Sequence, residues 1–237
     1  MLAESLSPGW LPDGVRVYAV GDSHGCARRL SALHAEIAAH AAANPAARQV
    51  LVHLGDYVDR GPDSAGVLAM LRGPSPLPGA AVVNLIGNHE QMMLAALDPR
   101  ADADVVGFWL DNGGGATLDS YGADEHDLGS WEAVPEADMA LLRRLRPSLA
   151  LGGYFFAHAG MRPDLPLDQQ DPMDLAWIRE PFLSWRGHLP AVVVHGHTPA
   201  DGPEVLPHRI GIDTGAVFGG PLTCAVLEGE RVGFLFA

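Results

Sequence analysis

Three short runs of apolar residues in the first half of the chain are each followed by glycine and then a polar residue. They span residues 15–20, 50–54 and 81–86, and their β-branched content predicts strands. Between the first two runs, leucine and isoleucine recur at helical spacing, which predicts an intervening helix. Alternating strands and helices are typical of an α/β fold, and such folds bind ligands at the carboxyl ends of their strands.

The second half of the chain has more closely spaced apolar runs. Residues 149–151 and 154–157 are separated only by Gly152 and Gly153, which predicts a tight hairpin. Four further strands are predicted at residues 192–194, 210–212, 222–227 and 232–236. We therefore expect mixed sheets.

The domain organisation follows from what interrupts these strands. No long Ser/Gly linker or shift in composition divides the chain, so we predict one domain spanning residues 1–237. Residues 98–147 have a helical, polar pattern, and long insertions beside strand ends commonly shape substrate pockets. We predict that they form a small cap of helix and loop.

Charge and composition exclude several kinds of partner. The formal net charge is −14, which disfavours binding to nucleic acid or to an anionic membrane. No basic leader is followed by a signal-like apolar segment, and no apolar run approaches membrane-spanning length, so we expect a cytoplasmic protein. Two cysteines, Cys26 and Cys224, are too few for a disulfide scaffold, and we predict two buried thiols.

The polar residues that follow the predicted strands form a chemically specific set. Carboxylate, imidazole and amide oxygen donors suit divalent cations, and a shared aspartate can bridge two of them. Two neighbouring cations can activate a water and bind both oxygens of a phosphoryl transfer. Any one of these residues alone is often only a turn former or a helix cap. Together they predict a two-metal site with the ligands Asp22, His24, Asp56, Asn88, His158 and His197.

The motifs around these residues resemble those of the phosphoprotein phosphatase family of calcineurin-like metallophosphoesterases, in its compact bacterial and bacteriophage serine/threonine phosphatase form. The matching segments are Gly21-Asp22-Ser23-His24-Gly25, Gly55-Asp56-Tyr57-Val58-Asp59-Arg60-Gly61, Gly87-Asn88-His89-Glu90, His158-Ala159-Gly160 and Gly196-His197-Thr198. The resemblance implies a calcineurin-like metallophosphoesterase fold, a mixed β-sandwich flanked by helices.

The same resemblance implies how the ligands divide. Asp22, His24 and a bridging Asp56 would hold one ion, whereas Asp56, Asn88, His158 and His197 would hold the other. Two divalent ions are expected, with Mn²⁺ first and Zn²⁺ or iron as alternatives.

Phosphate binding and leaving-group protonation need further side chains. The resemblance implies that Arg60 and Arg179 are the phosphate clamps, a role that suits arginine because a guanidinium can bind two oxygens at once. Arg162 is a weaker candidate, since it could instead pair with a nearby aspartate. His89 is the predicted general acid, held by Asp59 as in the family's His/Asp pair. We also expect Asn88, besides its metal role, to contact the substrate.

His195 lies two residues before a predicted ligand, His197, and could be confused with it. In the phosphatase pattern the histidine of Gly-His-Thr is the ligand, and Pro199 stands where a second phosphodiesterase histidine would fall. We predict that His195 has a supporting or structural role.

These residues predict a metal-dependent phosphoester hydrolase, and the resemblance implies phosphomonoesters, with phosphoserine and phosphothreonine as the leading substrates. The expected partner is therefore a phosphorylated protein or a small phosphoester. Symmetrical diadenosine tetraphosphate hydrolysis is the nearest alternative, because residues 108–121 could form a nucleotide-facing cap. An inactive phosphate-binding scaffold is a remote third possibility, because every ligand position is filled.

Overall fold

The structure is a computed structural model that describes residues 4–237. Its strands are β1 (Glu4–Leu6), β2 (Val15–Val20), β3 (Arg48–His53), β4 (Ala81–Asn84), β5 (Ser148–Leu151), β6 (Tyr154–Ala157), β7 (Val192–His195), β8 (Glu204–Leu206), β9 (Arg209–Gly211), β10 (Thr223–Glu228) and β11 (Arg231–Phe236). Its α-helices are α1 (Ala27–Ala43), α2 (Ser64–Arg72), α3 (Asn88–Ala96), α4 (Ala103–Trp109), α5 (Gly115–Ser120), α6 (Glu136–Leu142) and α7 (Pro172–Trp177).

The strands form two mixed sheets. The first has six strands in the order β1-β11-β10-β2-β3-β4, and β2, β3 and β4 are parallel to one another. The second has five strands in the order β5-β6-β7-β9-β8, and its central strands β6, β7 and β9 are also parallel. The predicted hairpin forms β5 and β6, which pair antiparallel around Gly152 and Gly153.

The core lies in three layers because each sheet is apolar on both faces. Side chains such as Val17 and Val52 of the first sheet meet Phe156 and Ile210 of the second between the sheets. On the outer face of the first sheet, α1 buries a leucine and isoleucine stripe that includes Leu33. Helix α7 covers the outer face of the second sheet. Each fully buried aliphatic side chain contributes about 2 kcal/mol, and the arrangement is the predicted mixed β-sandwich flanked by helices.

Some sequence predictions need correction in detail. The third strand ends at Asn84 rather than at residue 86, since Leu85 makes only an isolated bridge to Arg146 before the chain turns into α3. Cys224 is buried as predicted, but Cys26 is partly exposed, because it lies at the amino end of α1. Within residues 4–237, no helix has both the length and the apolar content to cross a membrane.

Residues 98–147, called the insertion below, contain α4, α5 and α6. A π-helical turn (Leu110–Gly114) joins α4 to α5, and a 3-10 turn (Leu128–Ala133) precedes α6. The insertion packs on α2 and α3 of the sandwich. One buried contact joins it to α2: the carboxylate of Asp138 accepts a hydrogen bond from the hydroxyl of Tyr121 and pairs with Arg72.

Candidate metal centre

The predicted ligands all lie at the carboxyl ends of parallel strands, where α/β folds place their sites. In the first sheet Asp22 follows β2, Asp56 follows β3, and Asn88 begins the helix after β4. In the second sheet His158 follows β6 and His197 follows β7. The carboxyl ends of these strands from both sheets therefore lie close together, and the site contains residues from both sheets.

The backbone at this edge is held in an uncommon conformation. In the described part of the chain, the non-glycine residues with a left-handed φ are all predicted site residues: His24, Asp56, Asp59, Arg60 and His197. Such conformations cost about 1–3 kcal/mol each, and they persist only where surrounding contacts enforce them.

Glu90 supplies one of those contacts. Its buried carboxylate accepts hydrogen bonds from the backbone N–H groups of Asp56 (2.9 Å), Tyr57 (2.6 Å) and Gly87 (2.9 Å). Burial, and then the charge of Asp56, raise the pKa of Glu90 to about 7. Glu90 thus ties the loop after β3 to the start of α3, so that Asp56 and Asn88 are held together.

Asp56 lies between two groups of donor atoms. One group comprises Asp56 with His24 and His89, and the other comprises Asp56 with His158 and His197. Within each group the donor atoms lie within 4.8 Å of one another. The two carboxylate oxygens of Asp56 face different histidines: Oδ2 lies 3.4 Å from His24 Nε2, and Oδ1 lies 3.3 Å from His158 Nε2. This is the geometry of a bridging carboxylate.

Two of the histidines are oriented by backbone carbonyls. His24 Nδ1 lies 2.8 Å from the carbonyl of Val58, and His158 Nδ1 lies 3.1 Å from that of Leu54. Each Nδ1–H can therefore donate outward, so that Nε2 of each ring faces the cluster, the common arrangement around metal-binding histidines.

Asn88 joins the second group through its amide oxygen. Asn88 Oδ1 lies 3.1 Å from His158 Nε2 and 2.9 Å from His197 Nδ1. These three atoms converge on one point beside Asp56, so the structure brings together the four residues expected around the second ion.

Asp22 lies outside both donor groups. A second acid near it, Asp213, was missed by the sequence interpretation. Asp22 Oδ2 accepts the His197 backbone N–H at 2.8 Å, while its buried Oδ1 has no hydrogen-bond partner among residues 4–237. Burial, followed by the charge of Asp213, raises the pKa of Asp22 well above its usual range. A Cβ at Gly196 would collide with this carboxylate, so glycine is required there.

The charges of the cluster indicate what would balance it. Burial disfavours the charged forms of both Asp56 and His158, but their ion pair reverses both shifts. The pKa of Asp56 is held well below its usual range, and that of His158 rises to about 10. A buried set of several carboxylates whose charge is balanced by a protonated imidazole, with an unsatisfied oxygen on Asp22, fits divalent cations.

The Asp59–His89 pair lies beside this cluster and is buried. His89 Nδ1 is 2.7 Å from Asp59 Oδ2, and His89 Nε2 has no hydrogen-bond partner in the described chain. The His89 ring packs edge-on against His24, with ring centroids 4.6 Å apart. His89 therefore presents a free nitrogen next to the predicted ligands.

The sequence of the chain matches the sequence model described as "Calcineurin-like phosphoesterase" over residues 15–236. The chain belongs to the calcineurin-like phosphoesterase family. Its members use a dinuclear divalent metal centre, and this chain is a metal-dependent phosphoester hydrolase. The predicted fold and family are thereby confirmed.

The names of individual relatives are of two kinds, serine/threonine phosphatase and bis(5'-nucleosyl)-tetraphosphatase. Serine/threonine-protein phosphatase 1 of Salmonella typhimurium is 35% identical over 90% of this chain and 92% of its own length. A symmetrical bis(5'-nucleosyl)-tetraphosphatase of Janthinobacterium is 28% identical over 87% of this chain and 90% of its own. A solved structure described as that of a candidate diadenosine tetraphosphatase is 26% identical, covers 94% of this chain and 93% of that one, and superposes with a TM-score of 0.64.

The arginines of this phosphoesterase differ in their surroundings. Arg60 Nη1 lies 2.8 Å from His24 Nε2, at the first donor group, and its guanidinium carbon is 5.8 Å from the centre of the Phe218 ring. Arg179 is exposed. Burial, and then the charge of His158, lower the pKa of His197 to about 3, and the charge of Arg179 adds a smaller contribution. Arg162 instead makes a two-bond ion pair with Asp164, the alternative that its sequence context left open.

His195 lies outside both donor groups of the phosphoesterase. Its Nδ1 is 3.0 Å from the carbonyl of Gly196, its Nε2 is 3.3 Å from Arg209, and its ring packs edge-on against Phe182. Burial lowers the pKa of His195 to about 3, so the ring is neutral. These contacts agree with a structural role.

Proposed function

We propose that this chain is a serine/threonine phosphatase that hydrolyses phosphoserine and phosphothreonine with two divalent ions. The observation that carries the proposal is the buried Asp59–His89 pair, whose free Nε2 lies beside the donor cluster. The alkoxide of serine is a poor leaving group and needs a proton, whereas the phosphate group released from a dinucleotide needs one far less. The 35% identical phosphatase relative supports the same substrate class.

The proposed ligands are His24, Asp56, His158 and His197 from the two donor groups, together with Asn88 and Asp22 beside them. Asp22, His24 and Asp56 would hold one ion, and Asp56, Asn88, His158 and His197 would hold the other. When bound, the ions supply an activated water and positive charge beside the phosphoryl oxygens. Manganese is our first proposal for their identity. Activity regained by metal-stripped protein in Mn²⁺, compared with Zn²⁺ and Fe²⁺, would test it.

The chain's own groups then complete the reaction. Arg60 and Arg179 bind the phosphoryl oxygens, and Asn88 contacts the substrate. The oxygen of water forms a bond to phosphorus while the bond from phosphorus to the side-chain oxygen breaks. His89 Nε2 donates its proton to that departing oxygen, and the Asp59 carboxylate holds the ring by accepting its Nδ1–H. Arg162 has no step in this scheme, because it is paired with Asp164.

Dinucleoside polyphosphate hydrolysis is a second candidate, and a specific feature favours it. Phe108 of the insertion is 52% exposed and stacks on Trp177 at 6.2 Å, with an angle of 27° between the rings. Exposed aromatic faces of this kind bind nucleobases by stacking. The predicted nucleotide-facing cap would use this pair, and the 28% identical tetraphosphatase relative supports the idea.

One comparison of substrates tests these alternatives. Protein loaded with Mn²⁺ is assayed on a phosphoserine and a phosphothreonine peptide, on symmetrical diadenosine tetraphosphate and on p-nitrophenyl phosphate, and kcat/KM is ranked. We expect the phosphopeptides to exceed the dinucleotide by at least about tenfold. The reverse ranking, with loss of dinucleotide activity in Phe108→Ala, would establish the second candidate. If no substrate is detectably hydrolysed with any of the three metals, the result would instead support the third alternative, an inactive phosphate-binding scaffold.

A cytoplasmic location stays a prediction. The relatives named above are bacterial proteins, and the described residues contain no candidate membrane-spanning helix.

A further inference from the structure

The carboxylate of Asp59 receives hydrogen bonds from two residues of the insertion as well as from His89. Trp109 Nε1 donates to both oxygens, at 3.0 Å to Oδ1 and 3.1 Å to Oδ2. The hydroxyl of Thr117 donates to Oδ1 at 2.7 Å. All four side chains are at most 1% exposed. The carboxylate is therefore bonded from two sides by groups far away in the sequence.

We propose that Trp109 and Thr117 are positioning residues for the general acid: they fix the Asp59 carboxylate so that His89 Nε2 points at the departing oxygen. This inference rests on the proposed function, because it requires His89 to act as the acid. It assigns the insertion a part in the chemistry, whether or not the insertion also binds the group attached to phosphate.

The hydroxyl of Thr117 has little freedom to do anything else. Besides donating to the Asp59 carboxylate, Thr117 Oγ1 accepts the backbone N–H of the same residue, Asp59, at 2.8 Å. Ser64 Oγ lies 3.0 Å from Thr117 Oγ1 and accepts that N–H as well, at 3.1 Å. Thr117 thus fixes the backbone and the side chain of Asp59 together, at a residue whose φ of 71° is left-handed.

A defined feature of the insertion brings the two residues to this point. Trp109 ends α4, and Thr117 lies in α5, on the other side of the π-helical turn. Gly113 in that turn has a φ of 103°, which glycine adopts without strain, and its carbonyl accepts the backbone N–H of Arg60 at 3.1 Å. Gly113 in the turn, with Trp109 before it and Thr117 after it, therefore holds the Asp59–Arg60 loop at three places.

A purely structural role for the indole would have different consequences. A buried carboxylate needs hydrogen bonds in any case, so losing one would lower the stability of the fold. A change in stability alone would lower the measured kcat for all substrates equally, because the fraction of folded enzyme is the same for each. If His89 Nε2 is misplaced relative to the departing oxygen, kcat falls only for substrates whose leaving group needs the proton. The dependence of kcat on the leaving group therefore separates the two roles.

The test uses Trp109→Phe, which removes the indole N–H and leaves a smaller aromatic ring in its place, in the full chain loaded with Mn²⁺. Because general acid catalysis contributes about 100-fold or more, we expect kcat for a phosphoserine peptide to fall by roughly tenfold or more, and kcat for p-nitrophenyl phosphate by less than about threefold. KM and bound Mn²⁺ should be unchanged. Thr117→Val should act in the same direction, and Thr117→Ser should restore the activity, because it keeps the hydroxyl.

Trp131→Phe is the matched control. Trp131 lies in the insertion and packs edge-on against Trp109 at 5.7 Å, but its indole N–H donates to the backbone carbonyl of Asp124 rather than to Asp59. It should lower stability without changing the ratio between the two substrates. Equal losses on both substrates in Trp109→Phe and Thr117→Val, or a ratio matched by Trp131→Phe, would overturn the proposal.

His89→Asn, assayed in parallel, separates this inference from the proposed function. A substrate-dependent loss in His89→Asn without one in the Trp109 and Thr117 variants would reject only the positioning role. An equal loss on both substrates in His89→Asn would reject the acid itself, and with it both proposals. Should Trp109→Phe fail to fold, Thr117→Val with its Thr117→Ser rescue gives the same decision.

Discussion

The donor cluster and the Asp59–His89 pair lie side by side, yet they are supported by different parts of the chain. The donor cluster depends on strand-end loops of both sheets, tied together by Glu90 and by the contact of Asp22 with the backbone of His197. The Asp59–His89 pair depends on the insertion, through the hydrogen bonds that Trp109 and Thr117 donate to Asp59. Metal binding should therefore tolerate changes in the insertion, whereas protonation of the leaving group should not.

The largest effect should come from the residue that the two donor groups share. Asp56→Asn keeps the shape but removes the charge that lies between His24 and His158. Losing a mere outer partner of a ligand typically costs about 10–100-fold in metal affinity or activity, so losing a bridging ligand should cost more. We expect both ions and hydrolysis of every substrate to be lost, as measured by metal content and by turnover.

Asp119 is an exposed residue of the insertion near the site. The substitution Asp119→Asn is the isosteric control, and this variant should retain two ions per chain. Retention of both ions by Asp56→Asn would contradict a shared ligand and would mean that the two groups bind independently.

The next largest effect should distinguish the role of the Asp59–His89 pair from that of the donor cluster. His89→Asn should leave both ions in place and lower kcat for phosphoserine peptides by roughly 100-fold or more, with a much smaller loss on p-nitrophenyl phosphate. The reason is that only the peptide's leaving oxygen needs the Nε2 proton. Metal loss in this variant would instead make His89 a metal ligand, because its ring nitrogen lies in the first donor group.

The same division explains what the sequence could predict. The donor residues follow apolar strand runs and glycines, so a local pattern identified them and strand topology brought them together. Asp213 follows an apolar run at residues 210–212 in the same manner, so that pattern could have found it too. Glu90 stands within a recognised motif, but its role depends on backbone N–H groups more than 30 residues away.

The insertion was much less predictable. Trp109 and Thr117 reach Asp59 across 50 and 58 residues, and no local spacing encodes such a contact. The π-helical turn that brings them there depends on the conformation of Gly113 and on its contact with Arg60. A helical and polar pattern indicated that residues 98–147 were an insertion, but it could not show which side chains face inward.

A smaller effect should sharpen the distinction between the arginines. Arg179→Ala should lower kcat/KM by about tenfold, because a charged hydrogen bond to phosphate is typically worth about 1.5–3 kcal/mol. Arg162→Ala, the matched control, should change it by less than about twofold, since this exposed side chain is already paired with Asp164. Comparable losses in both variants, measured on p-nitrophenyl phosphate, would place Arg162 at the phosphate as well.

The smallest effect concerns histidines away from both regions, and it separates acid sensitivity of the fold from that of the donor cluster. His34 Nε2 lies 2.9 Å from His53 Nε2, and His53 Nδ1 lies 2.8 Å from Asn84 Oδ1. If His53 donates to Asn84, its Nε2 accepts from His34, and protonation of His53 Nε2 would set two N–H groups against each other. Burial lowers the pKa of His34 to about 4 and that of His53 to about 3.

Because both values lie below the ordinary 6.5, the unfolded chain binds more protons than the folded one in acid. The stability that the neutral pair contributes is complete above pH 6.5 and is lost as the pH falls from there toward about 4 for His34 and about 3 for His53. His34→Gln removes one of the groups that bind these protons. The free energy of unfolding should therefore fall less steeply as the pH is lowered, by at most about 1.4 kcal/mol per pH unit. Urea unfolding of metal-free protein between pH 7 and pH 4.5 measures this slope. An unchanged slope in His34→Gln would assign the acid sensitivity to the donor cluster instead.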